Sequence, residues 1–302
     1  MRHFDLTYED LKAVKPDIIM CSMPGFGPEG EYAEYPAFGP SVETMTGITS
    51  LMGYPGGPPM VSSIAYPDPL AAMNGSGALM SALLHRRKTG QGQFIDLALS
   101  EGPVCQIGEQ VVAFSRTGEQ PARVGNTHPD HAPYGVYPAD GDDQWLAICV
   151  TSNGQWAILQ ELMGSPDWAD DVRFASSKSR VTHRVELDKL LGQWTAKHDS
   201  RELTITLQER GIAAGAALKN WQMLEDPHMN QRGFMMDIKE PDMGVKRYPG
   251  QAIRLSSTPA TNQNPSPRLG EHTRTLLNSL LSMSDSEIDG LASQGVIGTM
   301  DE

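Results

Sequence analysis

The chain has 302 residues, enough for one large or two medium-sized domains, and 39% of them are hydrophobic, as in ordinary soluble proteins. Its formal net charge of -13 argues against nucleic acid or an anionic membrane as a partner. No apolar run is long enough to span a membrane, and no apolar signal segment follows Met1. The three cysteines are scattered, with no histidine at metal-ligand spacing, so we expect reduced thiols, a cytoplasmic location and no metal.

The first predicted elements are a short helix at residues 8–14 and a buried strand at 17–22. The loop Gly25-Phe26-Gly27-Pro28-Glu29-Gly30 then matches the G-x-G-x-x-G pattern of dinucleotide-binding proteins. That pattern requires a long helix that begins within it, and Gly30 and Pro36 would break such a helix. We therefore favour a loop that lines a pocket, or a plain loop, followed by a short helix at 41–46. A nucleotide-dependent oxidoreductase is the alternative, and binding of a nicotinamide cofactor would test it.

Asp68 stands at the centre of the most distinctive stretch, residues 64–101. Asp68-Pro69 is typical of a helix start, because the carboxylate caps free N–H groups and a proline there loses no hydrogen bond. The small and apolar residues at 70–84 predict a buried helix, which ends at the basic residues 85–88. Asp68 is either a cap or a nucleophile held ionised at the helix N-terminus, and the local sequence leaves both open.

The remaining predicted elements fall into two regions. The first contains a strand at 94–99, a helix at 101–115 and an irregular segment at 118–138. An α+β region follows, with a strand at 145–150 and helices at 155–162, 184–194 and 200–209. The second contains a helix at 216–229, strands at 235–238 and 251–255, a proline-rich linker at 258–267, and helices at 271–281 and 285–294.

Six short motifs, in order over nearly the whole chain, resemble the class III coenzyme A transferases, also called the CaiB/BaiF, carnitine dehydratase or formyl-CoA transferase family. They are Asp17-Ile18-Ile19 with Gly25-Phe26-Gly27, Pro58-Pro59 before Asp68, Lys88-Thr89-Gly90-Gln91-Gly92-Gln93, Gly125-Asn126 with His128-Pro129 and Ala132-Pro133-Tyr134, Asp226-Pro227-His228, and Pro267-Arg268-Leu269-Gly270-Glu271-His272-Thr273.

The resemblance implies an α/β fold with an incomplete doubly wound (Rossmann-like) large domain, a small inserted α+β domain and a C-terminal return segment. The implied boundaries are 1–125 for the first part of the large domain, 137–213 for the small domain, and 214–302 for the linker and return. Family members carry an N-terminal portion that this chain lacks, so the strand at 17–22 should have an unpaired edge or an exposed apolar groove beside it. Members form interlocked homodimers, so the expected partner is a second copy or a polypeptide that carries the N-terminal half.

The resemblance also implies a reaction, the movement of CoA from an acyl-CoA to a small carboxylic acid without a permanently bound cofactor. In this family an aspartate before the helix that leads to Lys-Thr-Gly-x-Gly-Gln attacks the thioester, and Asp68 matches it. An aspartyl-acyl anhydride and then an aspartyl-CoA thioester follow. The implied residues that bind CoA and substrate are Ala37, Phe38, Gly39, Pro40, Gly125, Asn126, Thr127 and His128.

Two positions depart from patterns found in relatives. Some relatives have a glycine-rich catalytic loop where this chain has one glycine, Gly125, which weakens the case for oxyanion stabilisation there. Related racemases use a histidine–aspartate pair, and Phe38 occupies the histidine position. Since phenylalanine cannot transfer a proton, a transferase is favoured over an acyl-CoA racemase or epimerase, which deuterium exchange at the α-carbon would reveal. A catalytically silent subunit or fragment, whose role is assembly, is the third alternative.

Overall fold

The computed structural model describes residues 4, 6–260 and 264–300, which form two compact units, unit 1 (Met1–Ala216) and unit 2 (Ala217–Glu302). The elements of unit 1 are α1 (Tyr8–Val14), β1 (Met20–Ser22), α2 (Gly39–Met45), α3 (Ile48–Leu51), α4 (Pro67–Thr89), β2 (Phe94–Asp96), α5 (Glu101–Gln106), α6 (Gly108–Thr117), β3 (Tyr134–Pro138), β4 (Trp145–Cys149), α7 (Asn153–Leu162), α8 (Ser177–Thr182), α9 (Arg184–Thr195), α10 (Ser200–Glu209) and β5 (Ala213–Ala216). Those of unit 2 are α11 (Asn220–Glu225), α12 (Pro227–Gln231), β6 (Met235–Glu240), β7 (Gly244–Pro249), α13 (Thr273–Leu281) and α14 (Asp285–Ser293).

A two-stranded parallel sheet in unit 1 places β1 beside β2, with Met20 opposite Phe94. The pairing continues beyond the strands, because the N–H of Leu97 donates to the carbonyl of Ser22 at 3.0 Å. Within the described residues each strand pairs on one side only, so β1 has the unpaired edge that was expected. The mixed α/β class is confirmed, whereas the doubly wound architecture, the domain boundaries and the C-terminal return stay predictions.

The glycine loop at 25–30 leaves β1 without entering a long helix. The next helix, α2, begins at Gly39 and has seven residues. A dinucleotide fingerprint places its diphosphate at the N-terminus of a helix that begins inside the loop. This loop therefore does not have the geometry of that fingerprint.

Helix α4 spans 23 residues and ends at Gly90, whose φ of 76° is a conformation that glycine adopts without strain. The prediction that this helix is buried is wrong for most of its surface, since Met73 and Met80 are 73% and 59% exposed. The buried positions are Pro67, Ala71, Gly75 and Ala82. Apolar residues on all sides of a helix favour burial, but burial also requires a neighbouring element, and the described residues cover one side of α4.

The best-packed region of unit 1 is built on a three-stranded antiparallel sheet in the order β3-β4-β5. Leu146 and Ile148 alternate with less buried residues along β4, as expected for a strand with one face on a core. Leu187 and Leu191, one turn apart on α9, are fully buried with them, and α10 contributes Leu203 and Leu207 at the same spacing. This region agrees with the α+β texture predicted for the middle of the chain.

Several predicted elements were wrong in type or extent. The helix predicted at 101–115 is divided at Ile107 into α5 and α6, and residues 251–255 are not a strand. The segment predicted as a helix from 216 instead follows β5 and contains the short helices α11 and α12. Strands β3, β5 and β7 were missed, because a strand of four to six residues has too short a pattern to predict when proline or glycine interrupts it.

Unit 2 contains an antiparallel hairpin of β6 and β7 and the two terminal helices. Ser284 caps α14 through a reciprocal capping box with Glu287. No helix in the described part of the chain is both long enough and apolar enough to cross a lipid bilayer.

Candidate active site

Asp68 lies in the first turn of α4, where two prolines flank it. The helix begins one residue before it, at Pro67, and Tyr66 is the N-cap. Of the two roles that the sequence left open for Asp68, the structure does not show the cap: Pro67, with no N–H to satisfy, occupies the first helical position that was assigned to Pro69. The Asp68 side chain is exposed, and its negative charge near the helix N-terminus interacts favourably with the helix dipole. This is a position from which a carboxylate can meet a substrate.

Gly39, the first residue of α2, lies directly against the Asp68 carboxylate. A Cβ atom added at Gly39 would overlap with the Oδ2 atom of Asp68 and with the side chain of Ala65. Glycine is required here by this close approach, not by its backbone angles. The structure thus brings together two of the residues predicted for the site, which lie far apart in the chain.

The other predicted binding residues of this segment, Ala37, Phe38 and Pro40, are neighbours of Gly39 in the chain. Phe38, the N-cap of α2, is 82% exposed, and its backbone is tied to the Ser41 hydroxyl by hydrogen bonds of 3.0 and 2.8 Å. Pro40 is the second residue of the helix, and Ala37 packs against Gly25 so closely that a Cβ at Gly25 would overlap with it. Of the predicted binding residues Ala37, Phe38, Gly39 and Pro40, Gly39 is the residue that the structure shows in contact with Asp68.

The loop that enters α4 is strained and firmly anchored. Ser63 and Ala65 have φ angles of 63° and 49°, in the left-handed region that residues other than glycine seldom adopt. The carboxylate of Glu43, on α2, accepts hydrogen bonds from the Ser62 N–H and hydroxyl, both at 2.7 Å, and from the Tyr66 N–H at 3.3 Å. Glu43 is 1% exposed. The sequence reasoning missed it, although a single glutamate in a short, otherwise uncharged helical segment was a usable signal.

Residues 125–128, the second predicted binding segment, lie against a different part of unit 1. The Gly125 N–H donates to the carbonyl of Gly53 at 2.9 Å, and a Cβ at Gly125, which has φ 60°, would lie 2.9 Å from the Tyr54 ring. The rings of His128 and His131 stack with centroids 4.6 Å apart. Across the described residues, no hydrogen bond or ring contact links this segment to Asp68.

Asn126 and Thr127 of that segment border an open cavity of about 250 Å³, which is also lined by a buried tyrosine and a partly buried aspartate, Tyr137 and Asp188. The Tyr137 hydroxyl donates to Asp188 at 2.7 Å. Burial raises the pKa of Asp188, while the Tyr137 hydrogen bond and the charge of Arg184 oppose that rise. Burial and the nearby carboxylate raise the pKa of Tyr137 as well, so the phenol stays protonated and donates.

The raised pKa of Asp188 predicts a pH dependence of stability. Native Asp188 keeps its proton at a higher pH than in the unfolded chain, so its own contribution to the free energy of unfolding should fall as pH rises from 3.8 through the raised native value. Asp188→Asn keeps an oxygen acceptor for Tyr137 and should remove that fall. Urea unfolding of both proteins across this range measures it, and parallel profiles would contradict the expectation.

No group of three or more His, Cys, Asp and Glu side chains in the described ranges is arranged to hold a metal ion. The cysteines Cys21, Cys105 and Cys149 are free thiols. At Asp68, unit 1 offers an exposed carboxylate in contact with Gly39, and such a carboxylate is a group that can attack a carbonyl carbon.

Comparison with known proteins gives the same family throughout. The sequence model of CoA-transferase family III matches residues 1–273. The chain is 32% identical to succinyl-CoA–D-citramalate CoA-transferase of Chloroflexus aurantiacus, over 98% of this chain and 74% of that protein. It is 34% identical to succinate–glutarate CoA-transferase of Agrobacterium fabrum, over 92% of this chain and 69% of that protein.

Solved structures agree with the relatives. The crystal structure of a CAIB/BAIF family protein from Brucella suis superimposes with a TM-score of 0.82 at 32% identity, covering 91% of this chain and 71% of that one. Similarity of this extent in both sequence and fold, over most of the chain, leaves no doubt about kinship. The chain belongs to the family III CoA-transferases, and it is an enzyme of that class.

Proposed function

We propose that the protein transfers CoA from an acyl-CoA to a carboxylate, with Asp68 as the covalent nucleophile. The observation that carries the proposal is the position of an exposed carboxylate at the start of α4, held against Gly39 by a strained and anchored loop. Strain of this kind persists only where the surrounding structure holds it, and it is common at functional sites. Because Gly39 has no side chain, the Asp68 carboxylate can lie directly against its backbone.

The proposed reaction balances without ATP or a permanent cofactor. A carboxylate oxygen of Asp68 attacks the thioester carbon, the C–S bond breaks, and CoA leaves as the thiolate. The thiolate then attacks the aspartyl carbonyl of the anhydride, which releases the donor acid and leaves an aspartyl-CoA thioester. The acceptor carboxylate reverses the sequence through a second anhydride, so the energy of the thioester is conserved.

We propose succinyl-CoA as the donor and a short dicarboxylic acid as the acceptor. The support is that relatives similar over most of the chain are named for succinyl-CoA or succinate with D-citramalate, glutarate or mesaconate as the second acid. The conversion of one dicarboxylate thioester into another is nearly isoenergetic, because the bond broken and the bond formed are alike.

The experiment that tests the proposal uses the purified chain with succinyl-CoA and each of these acids. New CoA thioesters are followed by chromatography, and hydroxylamine is added to parallel samples to trap acylated aspartate. We expect a new thioester with at least one acid and a hydroxamate on the peptide that contains Asp68. Deuterium exchange at the α-carbon of a branched acyl-CoA, with no CoA transfer, would instead indicate a racemase.

We also propose that the apolar face of α4 is covered in a homodimer. Support comes from the exposure of Met73, Met80 and Leu84 on this helix, which is unusual for side chains of this size. Light scattering of the purified protein should give twice the mass of one chain, and Met80→Glu should shift it towards the monomer. A relative from Chloroflexus aurantiacus is named a beta subunit, so a monomer that dimerises only with a different polypeptide is the contrary outcome.

A further inference from the structure

Helix α2 makes two contacts with the segment that carries Asp68, and both come from the same face. Gly39 touches the Asp68 carboxylate, and Glu43 lies four residues later, one helical turn along the same side. Both residues are buried, whereas Asp68 and Pro69 in the first turn of α4 are exposed. One short helix thus contacts both the reactive side chain and the loop that carries it.

The Glu43 contacts bracket the strained part of that loop. Ser62 lies before the two residues with positive φ, and Tyr66, the N-cap of α4, lies after them. The Ser62 N–H and hydroxyl and the Tyr66 N–H all donate to the Glu43 carboxylate, which thereby closes the loop as a clamp. Hydrogen bonds to an ionised acceptor are stronger than those between neutral groups, which suits a clamp that must hold strain.

The Glu43 side chain is buried, and its hydrogen bonds make that burial favourable. A buried polar group is unfavourable unless it is hydrogen-bonded, and an apolar side chain here would leave the N–H groups of Ser62 and Tyr66 without this acceptor. All the hydrogen bonds that the structure shows to the Glu43 carboxylate come from the segment 62–66. Its three donors all belong to the five residues that fix where α4 begins, and so fix where Asp68 stands.

We infer that Glu43 is a positioning residue, which holds the loop 62–66 in its strained form and thereby sets the Asp68 carboxylate against Gly39 for attack on the thioester. The inference rests on the proposed function, because it assigns Glu43 to the same nucleophilic step. Glu43 does not touch the reactants. Its contribution is to the rate at which Asp68 becomes acylated, with little contribution to the affinity for acyl-CoA.

Glu43→Gln is the first test. The amide group has nearly the shape of the carboxylate, but it presents N–H groups to at least one of the three donors, so the clamp opens. We expect the rate of Asp68 acylation, measured by quenched-flow and mass spectrometry of the Asp68 peptide with succinyl-CoA, to fall about 10- to 100-fold. The Kd for CoA, measured by calorimetry, should stay within about twofold, as should the KM for the acceptor.

Ser62→Ala is the second variant, and it keeps the test valid if Glu43→Gln folds poorly. It removes one hydroxyl donor and leaves the other two bonds, so we expect a drop of about 3- to 10-fold in acylation rate. The double variant should lose less than the product of the two single effects, because both act through one clamp. Glu109→Gln, an exposed first-turn glutamate on α6, is the matched control and should acylate at the wild-type rate.

The outcomes separate this inference from the proposed function. If the wild-type protein forms no Asp68 adduct, the nucleophile itself is misassigned. If the wild type forms the adduct and both Glu43→Gln and Ser62→Ala form it equally fast, the positioning role of Glu43 is overturned. A loss of CoA affinity equal to the loss of rate would also overturn it, because that pattern indicates general disruption of the site.

Discussion

Asp68→Asn should abolish CoA transfer while leaving the protein folded. An amide nitrogen and a neutral oxygen cannot replace a carboxylate nucleophile, and loss of a covalent nucleophile reduces turnover on the order of 10³-fold or more. Stability should fall by no more than about 1 kcal/mol, the contribution of a first-turn negative charge to a helix. Steady-state transfer, hydroxylamine trapping and thermal unfolding together measure these effects.

The control separates chemistry from the helix dipole. Glu109→Gln removes a first-turn negative charge from α6 and should cost a similarly small amount of stability with no loss of transfer. Full turnover by Asp68→Asn would show that a different group is acylated. An adduct that persists on the Asp68 peptide in this variant would show the same, because the trapped acyl group would then belong to a neighbour.

Gly39→Ala should have the second-largest effect on activity. The added methyl group would occupy the space of the Asp68 carboxylate and of the Ala65 side chain, so the carboxylate must turn away. A displacement of about 1 Å at a reacting group can cost about 100-fold in rate, and overpacking at a buried position costs about 1–3 kcal/mol. Unlike Asp68→Asn, this variant should retain a slow acylation of Asp68.

Gly290→Ala is the control. Gly290 lies inside α14, where a Cβ atom meets no atom within 4 Å, and glycine in a helix interior is less stable than alanine by up to about 1 kcal/mol. We therefore expect Gly290→Ala to be slightly more stable than the wild type and fully active. Equal activity of Gly39→Ala and Gly290→Ala would mean that the contact between Gly39 and Asp68 does not constrain the reaction.

Much of the α-helical content was predictable because helix ends depend on residues close to them in the chain. The helix at 8–14 and the helix at 200–209 have the predicted bounds, and α4 ends at the glycine that follows its basic last turn. Proline, glycine and capping side chains act over three or four residues. Short strands were predicted less well, because pairing with a distant strand decides them, and the local sequence shows little of that pairing.

The sequence by itself determined the family and singled out Asp68, because the motifs that carry the resemblance are contiguous and can be read without a fold. Only the tertiary structure decided what surrounds Asp68. The bonds from Glu43 join residues 19 and 23 positions away, and the contact of Gly39 is just as remote in sequence. The exposure of α4 was likewise decided by which of its sides meets another element. Contacts between distant segments depend on how the whole chain folds, and no local pattern of residue types encodes them.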